Sequence, residues 1–216
     1  AKNMSNMFYN CESLHFLNLS HFNNKVLKDT ENMFNSCTSL ESLDLSYFKT
    51  NDVNYMNSMF ENCISLKSLD LSSFDVKKVV NIEQMFKGCK SLNSLDLNNF
   101  ITYNIISTKE LFYGCSSMVN LNIYNFDTKK VKNMSSMFYE CSSLLNLNLK
   151  NFVTNLVEDM SYMFYHCDNL TSLNISSFDT SEITTMESMF HNSKSLTSLD
   201  LSNFNTNNVI DMKNKI

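Results

Sequence analysis

The stretch MFYNCESLHFLNLSHF, Met7 to Phe22, decides the fold because it returns in closely similar form seven more times. Its Met-Phe pair recurs at Met33-Phe34, Met59-Phe60, Met85-Phe86, Leu111-Phe112, Met137-Phe138, Met163-Phe164 and Met189-Phe190, always 26 residues apart. Eight such periods leave only eight of the 216 residues over. A strict period without insertions is the mark of a stacked array, in which each unit must meet the next in register. The reading is a single solenoid over 1–216, eight repeats plus an eight-residue partial one, cut from a longer array.

Positions within a repeat are numbered here as phases, so that Met4, Met56 and Met134 share phase 4. Phase 3 carries Asn3, Asp29, Tyr55, Asn81, Ser107, Asn133, Asp159, Thr185 and Asp211, and all but Tyr55 are short side chains able to accept from free backbone N–H groups as a helix N-cap does. The pattern M-x-x-M-F-x-x-C follows, and its i, i+3, i+4, i+7 spacing predicts about two turns of helix over phases 4 to 10. Gly88 and Gly114, just before the Cys, mark where such a helix would end. The next segment reads L-x-x-L-x-L, as in Leu40, Leu43 and Leu45, and its alternation predicts a strand with every second side chain inward. This is the leucine-rich pattern, with Phe22, Phe48, Phe74, Phe100, Phe126, Phe152, Phe178 and Phe204 in place of the usual Asn or Cys. A buried Phe stack is expected there. Thr50, Thr102, Thr128, Thr154, Thr180 and Thr206 mark a turn, and Val53, Val79, Val131 or Val157 then re-enters the core.

Repeats such as MSSMFYECSSLLNLNLKNFVT and MESMFHNSKSLTSLDLSNFNT resemble the BspA-like surface leucine-rich repeats of bacteria and some protists, in particular the 26-residue variant of mycoplasma surface lipoproteins. The resemblance implies a right-handed solenoid of α/β class, with a parallel β-sheet on the concave face and short helical turns on the other side. It also implies display at a cell surface and a link to adhesion, with no catalytic activity and no binding residue to carry over.

The residues exclude several function classes. Net charge is −5 with no basic cluster beyond Lys77-Lys78 and Lys129-Lys130, so no nucleic-acid footprint is present. No apolar run is long enough for a membrane span. Two glycines cannot build a phosphate loop. Cys11, Cys37, Cys63, Cys89, Cys115, Cys141 and Cys167 share one apolar phase, completed by Ser193, and read as buried free thiols without the C-x-x-C of a zinc site. His15, His21, His166 and His191 fall at four phases and are expected to lie apart, so no catalytic or metal site and no cofactor is expected. Asn18 and Asn174 match glycan acceptor signals but fall on strands, where a glycan would block the sheet.

Candidate binding residues lie at exposed phases. Phases 16, 18 and 20 of the strand segment read Ser42-Asp44-Ser46, Ser68-Asp70-Ser72 and Ser94-Asp96-Asn98, then Asn120-Asn122-Tyr124 and Asn146-Asn148-Lys150. Asp44, Asp70 and Asp96 form a file of like charges at strand spacing, read either as a solvated stripe or as a weak Ca²⁺ or basic-partner site. Tyr124 and Lys150 break the Ser-Asx pattern farther along. Tyr113, Tyr139 and Tyr165 repeat at phase 9, as a partner contact or as a stack among themselves. The leading expectation is a noncatalytic interaction or adhesion module, binding a protein or other macromolecule at the cell surface. The alternative is a structural rod whose repeats serve length and stacking, including end-to-end self-association.

Overall fold

A computed structural model describes residues 1–22 and 24–213; Asn23 and residues 214–216 of the partial ninth repeat lie outside them. Each 26-residue unit forms one coil, and every phase sits beside its counterpart in the next coil. Strands β1 (Phe16–Asn18), β2 (Ser42–Asp44), β3 (Ser94–Asp96), β4 (Asn120–Asn122), β5 (Asn146–Asn148) and β6 (Ser172–Asn174) pair in parallel as β1-β2, β3-β4 and β5-β6. Their register is one full repeat, with Leu17 opposite Leu43, Leu95 opposite Leu121 and Leu147 opposite Leu173. A second parallel ladder runs along phase 3, from Asn3 through Asp29 and Tyr55 to Asn81, then from Ser107 through Asn133, Asp159 and Thr185 to Asp211.

The helix expected over phases 4 to 10 does not form, and no helix occurs among the described residues. Phases 6 and 10 adopt positive φ in all eight repeats: 51–60° at residues such as Asn6, Ser58, Tyr162 and His166, and 70–72° at Gly88 and Gly114. A residue with positive φ at the third position is the requirement of a type II turn and interrupts an α-helix. Two four-residue turns therefore run in tandem, closed in the first repeat by Met7 N–H to Met4 C=O (3.2 Å) and Cys11 N–H to Phe8 C=O (3.2 Å). The intervening N–H groups point to the next coil: Asn6 donates to Glu31 (2.9 Å), Phe8 to Met33 (2.9 Å) and Asn10 to Asn35 (2.8 Å). The apolar spacing is the same for either structure. Residues at the two ends of each turn face the core, giving phases 4, 7, 8 and 11, which is also the i, i+3, i+4, i+7 stripe of a helix.

One continuous core fills the coils, with the Met, Phe, Cys, Leu and Val phases buried through the middle of the array. The unbroken aromatic stack is at phase 8, where Phe8, Phe34, Phe60, Phe86, Phe112, Phe138, Phe164 and Phe190 follow one another at 5.5–5.9 Å with planes within 12°. The Phe file at phase 22 is buried as expected through residues 48–178, but ring contacts there join only Phe48 to Phe74 and Phe100 to Phe126 among the described residues.

Polar side chains close the backbone groups that turns leave open. Phase 3 caps as foreseen, onto a turn in place of a helix: Asn3 Oδ1 accepts from Ser5 N–H (2.7 Å) and Asp159 Oδ1 from Ser161 N–H (2.8 Å). Phase 18 does the same in all eight repeats, from Asn18 with Ser20 (2.8 Å) to Asp200 with Ser202 (2.9 Å). Buried Thr128 joins coils twice over, its Oγ1 donating to Val153 C=O (2.9 Å) and accepting from Val153 N–H (2.8 Å). Thr50, Thr154 and Thr180 repeat both bonds one coil along. The buried thiols also donate, Cys63 Sγ to Phe34 C=O (3.2 Å) and Cys141 Sγ to Phe112 C=O (3.1 Å), and Ser193 Oγ keeps that bond with Phe164 C=O (2.7 Å). All seven cysteines are free.

One seam lacks polar links that its neighbours keep. Val76 replaces the bridging Thr, the bridge between Asn81 and Ser107 is missing among the described residues, and Thr108 Oγ1 is buried without a hydrogen-bond partner. Val76→Thr would restore both bonds to Ile101, stabilising by about 1 kcal/mol and raising Tm by roughly 2–4 °C; Thr128→Val, which strands the Val153 amide, should lower it. Calorimetry of the two variants checks this, and an unchanged Tm in both would refute the ladder's role. The phase-18 caps give a pH dependence. Backbone N–H donors, then the Ser hydroxyls, hold Asp44, Asp70 and Asp200 below the usual carboxylate range. A depressed native value adds stability above the unfolded pKa of about 4, lost as pH falls through the native one. Replacing all three by Asn keeps the accepting oxygen, so the urea midpoint should change little at pH 7 and fall less than wild type at pH 3. Equal acid losses would show that these caps do not contribute.

Candidate functional site: the strand face and the tyrosine stack

The strand segments turn phase 17 inward and phases 16 and 18 to solvent, so the outward side chains of successive coils form files. Asp44, Asp70 and Asp96 occupy one such file, as their alternation requires. Each spends Oδ1 on its own turn: Asp44 accepts from Ser46 N–H (3.0 Å) and Ser46 Oγ (2.7 Å), Asp70 from Ser72 N–H (2.9 Å), Asp96 from Asn98 N–H (2.9 Å). Among the described residues no three His, Cys, Asp or Glu side chains converge in a way that could hold a metal. The file is then neutral over Asn122, Asn148 and Asn174 and acidic again at Asp200. Asn122 continues it and donates through Nδ2 to Asp96 Oδ1 (2.9 Å), joining the acidic half to an amide half.

In that second half the strand face carries Asn120, Asn122, Asn146, Asn148, Ser172 and Asn174 over two adjoining hollows that share Leu121, Asn122 and Asn146. Tyr124 and Lys150 are neighbours at phase 20 on its rim. Tyr124 is 53% exposed, and no ring contact is made to it among the described residues.

The structure brings Tyr113, Tyr139 and Tyr165 together on the tandem-turn side. Tyr113 and Tyr139 stack at 4.3 Å with planes 2° apart, and Tyr139 and Tyr165 at 4.6 Å and 7°. The stack is longer than the sequence indicated. Lys87 Nζ lies 5.2 Å from the centre of Tyr113, and His191 stacks on Tyr165 at 5.1 Å, both at phase 9 of the flanking repeats. Tyr162 meets Tyr165 edge-on at 5.8 Å. Burial, then the neighbouring tyrosines, pushes the Tyr139 hydroxyl up to about 12, so the ring stays neutral. With the ring faces consumed by one another, this file is a packing spine that offers only edges and hydroxyls. An ionic spine precedes it: Lys87 pairs with Glu110, which also accepts from Gln84 Nε2 (3.0 Å). Burial opposes ionisation of Glu110, yet these donors draw its carboxyl below the ordinary range.

Two histidines expected to lie apart are neighbours. His166 and His191 occupy phases 10 and 9 of adjacent coils, and their rings are 6.4 Å apart. His166 contacts Asn192 Nδ2 through Nε2 (3.0 Å) and faces Asp168 through Nδ1 (3.5 Å). No nucleophile accompanies it, because Cys167 is buried, its thiol bonds Phe138 C=O (3.2 Å), and burial pushes its pKa far above the ordinary value. The tyrosine and strand files sit on different segments of the coil, so the candidate residues do not form one site.

Solved structures similar to this chain are leucine-rich-repeat proteins. One from T. pallidum is 19% identical, with a TM-score of 0.41 and coverage of 89% of this chain and 69% of that one. One from Eubacterium ventriosum is 15% identical, with a TM-score of 0.48 and coverage of 92% and 56%. A leucine rich cell surface protein from Faecalibacterium prausnitzii is 13% identical, with a TM-score of 0.32 and coverage of 92% and 66%. The chain thus spans little more than half of the second structure's length. No match is found among curated proteins. A family profile described as Mycoplasma protein of unknown function, DUF285, matches residues 2–121 and again 106–216. That agrees with the resemblance to the 26-residue mycoplasma repeats, and the chain belongs to the DUF285 family.

Proposed function

We propose that this array is a noncatalytic interaction module, displayed at a cell surface, that binds a macromolecule across several repeats through its strand face. One observation carries the reading. The inward phases barely change from coil to coil, whereas the outward strand positions shift from Ser-Asp-Ser to Asn-Asn-Tyr and Asn-Asn-Lys at unchanged backbone geometry. Stacking alone does not require that shift, since phase 18 caps its turn equally well as Asp or Asn. The reading therefore rests on phases 16 and 20 and on the Asp-to-Asn change at phase 18. Adhesion is the form of interaction a displayed, multi-repeat surface serves best, because many weak contacts add along its length. No helix among the described residues is long and apolar enough to cross a membrane. The rod alternative draws support from the regularity of the inter-coil ladders. In that reading the outward side chains are free to drift without consequence.

Two measurements test the proposal. Protease shaving of intact producing cells should release peptides around Tyr139, and recovery only after lysis would exclude surface display. The purified chain should then retain host or neighbour surface material, with retention falling about tenfold when Asn146→Arg and Lys150→Glu are combined and not with Lys90→Glu on another exposed edge. Equal retention by both variants would favour the rod.

A further inference from the structure

We infer that the amide half of the strand face is a binding trough for a linear, uncharged, β-linked glycan laid along the solenoid axis, with Tyr124 as its aromatic platform. The inference deepens the interaction reading and rests on it. Its basis is the chemistry of the lining. Asn120, Asn146, Asn148, Ser172 and Asn174 present amides and a hydroxyl, which together donate and accept in the way sugar hydroxyls need. Two of these donors are fixed in advance. Asn148 Oδ1 is committed to Lys150 N–H (3.2 Å) and Asn174 Oδ1 to Ser176 N–H (3.2 Å), so each Nδ2 is held outward without losing its freedom on binding.

Three features select a neutral glycan over other polymers. A protein partner calls for an exposed aromatic or apolar anchor at the centre of its footprint, and here Leu121, Ile123 and Leu147 only floor the hollow between outward Asn and Ser side chains, with Tyr124 at the rim as the one exposed aromatic on this half of the face. A polyanion would meet Asp96, Asp70 and Asp44 along the same face of a chain whose net charge is −5. The lining is also periodic: the same amide recurs from coil to coil at the strand spacing of about 4.8 Å, close to the advance per sugar of an extended β-linked hexopyranose chain. A repeating surface matches a ligand with one repeating unit, one sugar to each coil. Tyr124 supplies the flat apolar face on which a pyranose ring packs its C–H groups, and unlike Tyr113, Tyr139 and Tyr165 it has no ring stacked against it among the described residues.

The test is calorimetric titration of the whole chain with two defined probes, cellohexaose and N-acetylated chitohexaose, at two salt concentrations. The expected result is saturable binding of at least one probe, little changed by salt, weakened tenfold or more by Tyr124→Ala and unchanged by Tyr47→Ala, an exposed tyrosine elsewhere. Both substitutions are of solvent-exposed rings, so the fold is not at stake. Absence of binding by both probes at millimolar concentration, or equal binding by Tyr124→Ala and wild type, overturns the inference. Should Asn146→Arg with Lys150→Glu abolish capture of surface material while neither hexasaccharide binds, the interaction reading stands and the glycan assignment falls. Should the probes bind as expected while that pair of substitutions leaves capture intact, the trough is a glycan site and the surface reading is what fails.

Discussion

Everything in this molecule depends on the alternation of backbone N–H groups in the tandem turns. At phases 7, 9 and 11 the N–H closes a local turn, and at phases 6, 8 and 10 it reaches the carbonyl of the next coil. Positive φ at phases 6 and 10 produces that alternation. For residues other than Gly such a conformation costs on the order of 1 kcal/mol or more, and fourteen non-Gly residues adopt it. The cost is offset by the coil-to-coil bonds and by the Phe stack that the turns bring into register. A single coil gains none of this, which is why the array, and not the repeat, is the folding unit.

The sequence made the array legible and the local conformation only in part. The exact 26-residue metre, the L-x-x-L-x-L strand and the buried thiol phase could all be read from spacing, because burial follows period. The helix could not be excluded on the same ground: M-x-x-M-F-x-x-C is an apolar stripe at helical spacing and equally the end residues of two successive turns. The discriminating signal lay at the outward positions. Asn6, Asn10, Asn32 and Asn62, with Gly88 and Gly114, supply at phases 6 and 10 the residue types that tolerate a left-handed backbone. Short Asn and Asp side chains at phase 3 read as helix N-caps, but the same side chains cap a turn equally well, so they could not tell helix from turn.

At the candidate site the legible part was which residues face out, and the hidden part was which of them are already occupied. Phase-18 carboxylates look available in sequence but cap their own turns, whereas phase-9 tyrosines look exposed but bury their faces in one another. Both outcomes follow from the ladder, since identical side chains one coil apart are neighbours before any partner arrives. His166 and His191 show the same effect across a difference of one phase. Distance along the sequence and difference in phase must therefore be weighed together in such a fold.

This sets a limit on what a repeat surface can recognise. An outward residue whose face is stacked on its counterpart is withdrawn from binding, and one that caps its own turn keeps only its remaining polar atom, as Asn148 and Asn174 keep Nδ2, so the chemistry of recognition is set where a position departs from its counterparts. Tyr124 between Asn98 and Lys150 is such a position, and the acidic-to-amide change between Asp96 and Asn122 is another. Both lie on the strand face and both fall in the same stretch of coils. Uniform coils fix the spacing of the contacts and the departures fix their chemistry, so the two together describe a surface suited to an extended, repetitive ligand better than to a compact one.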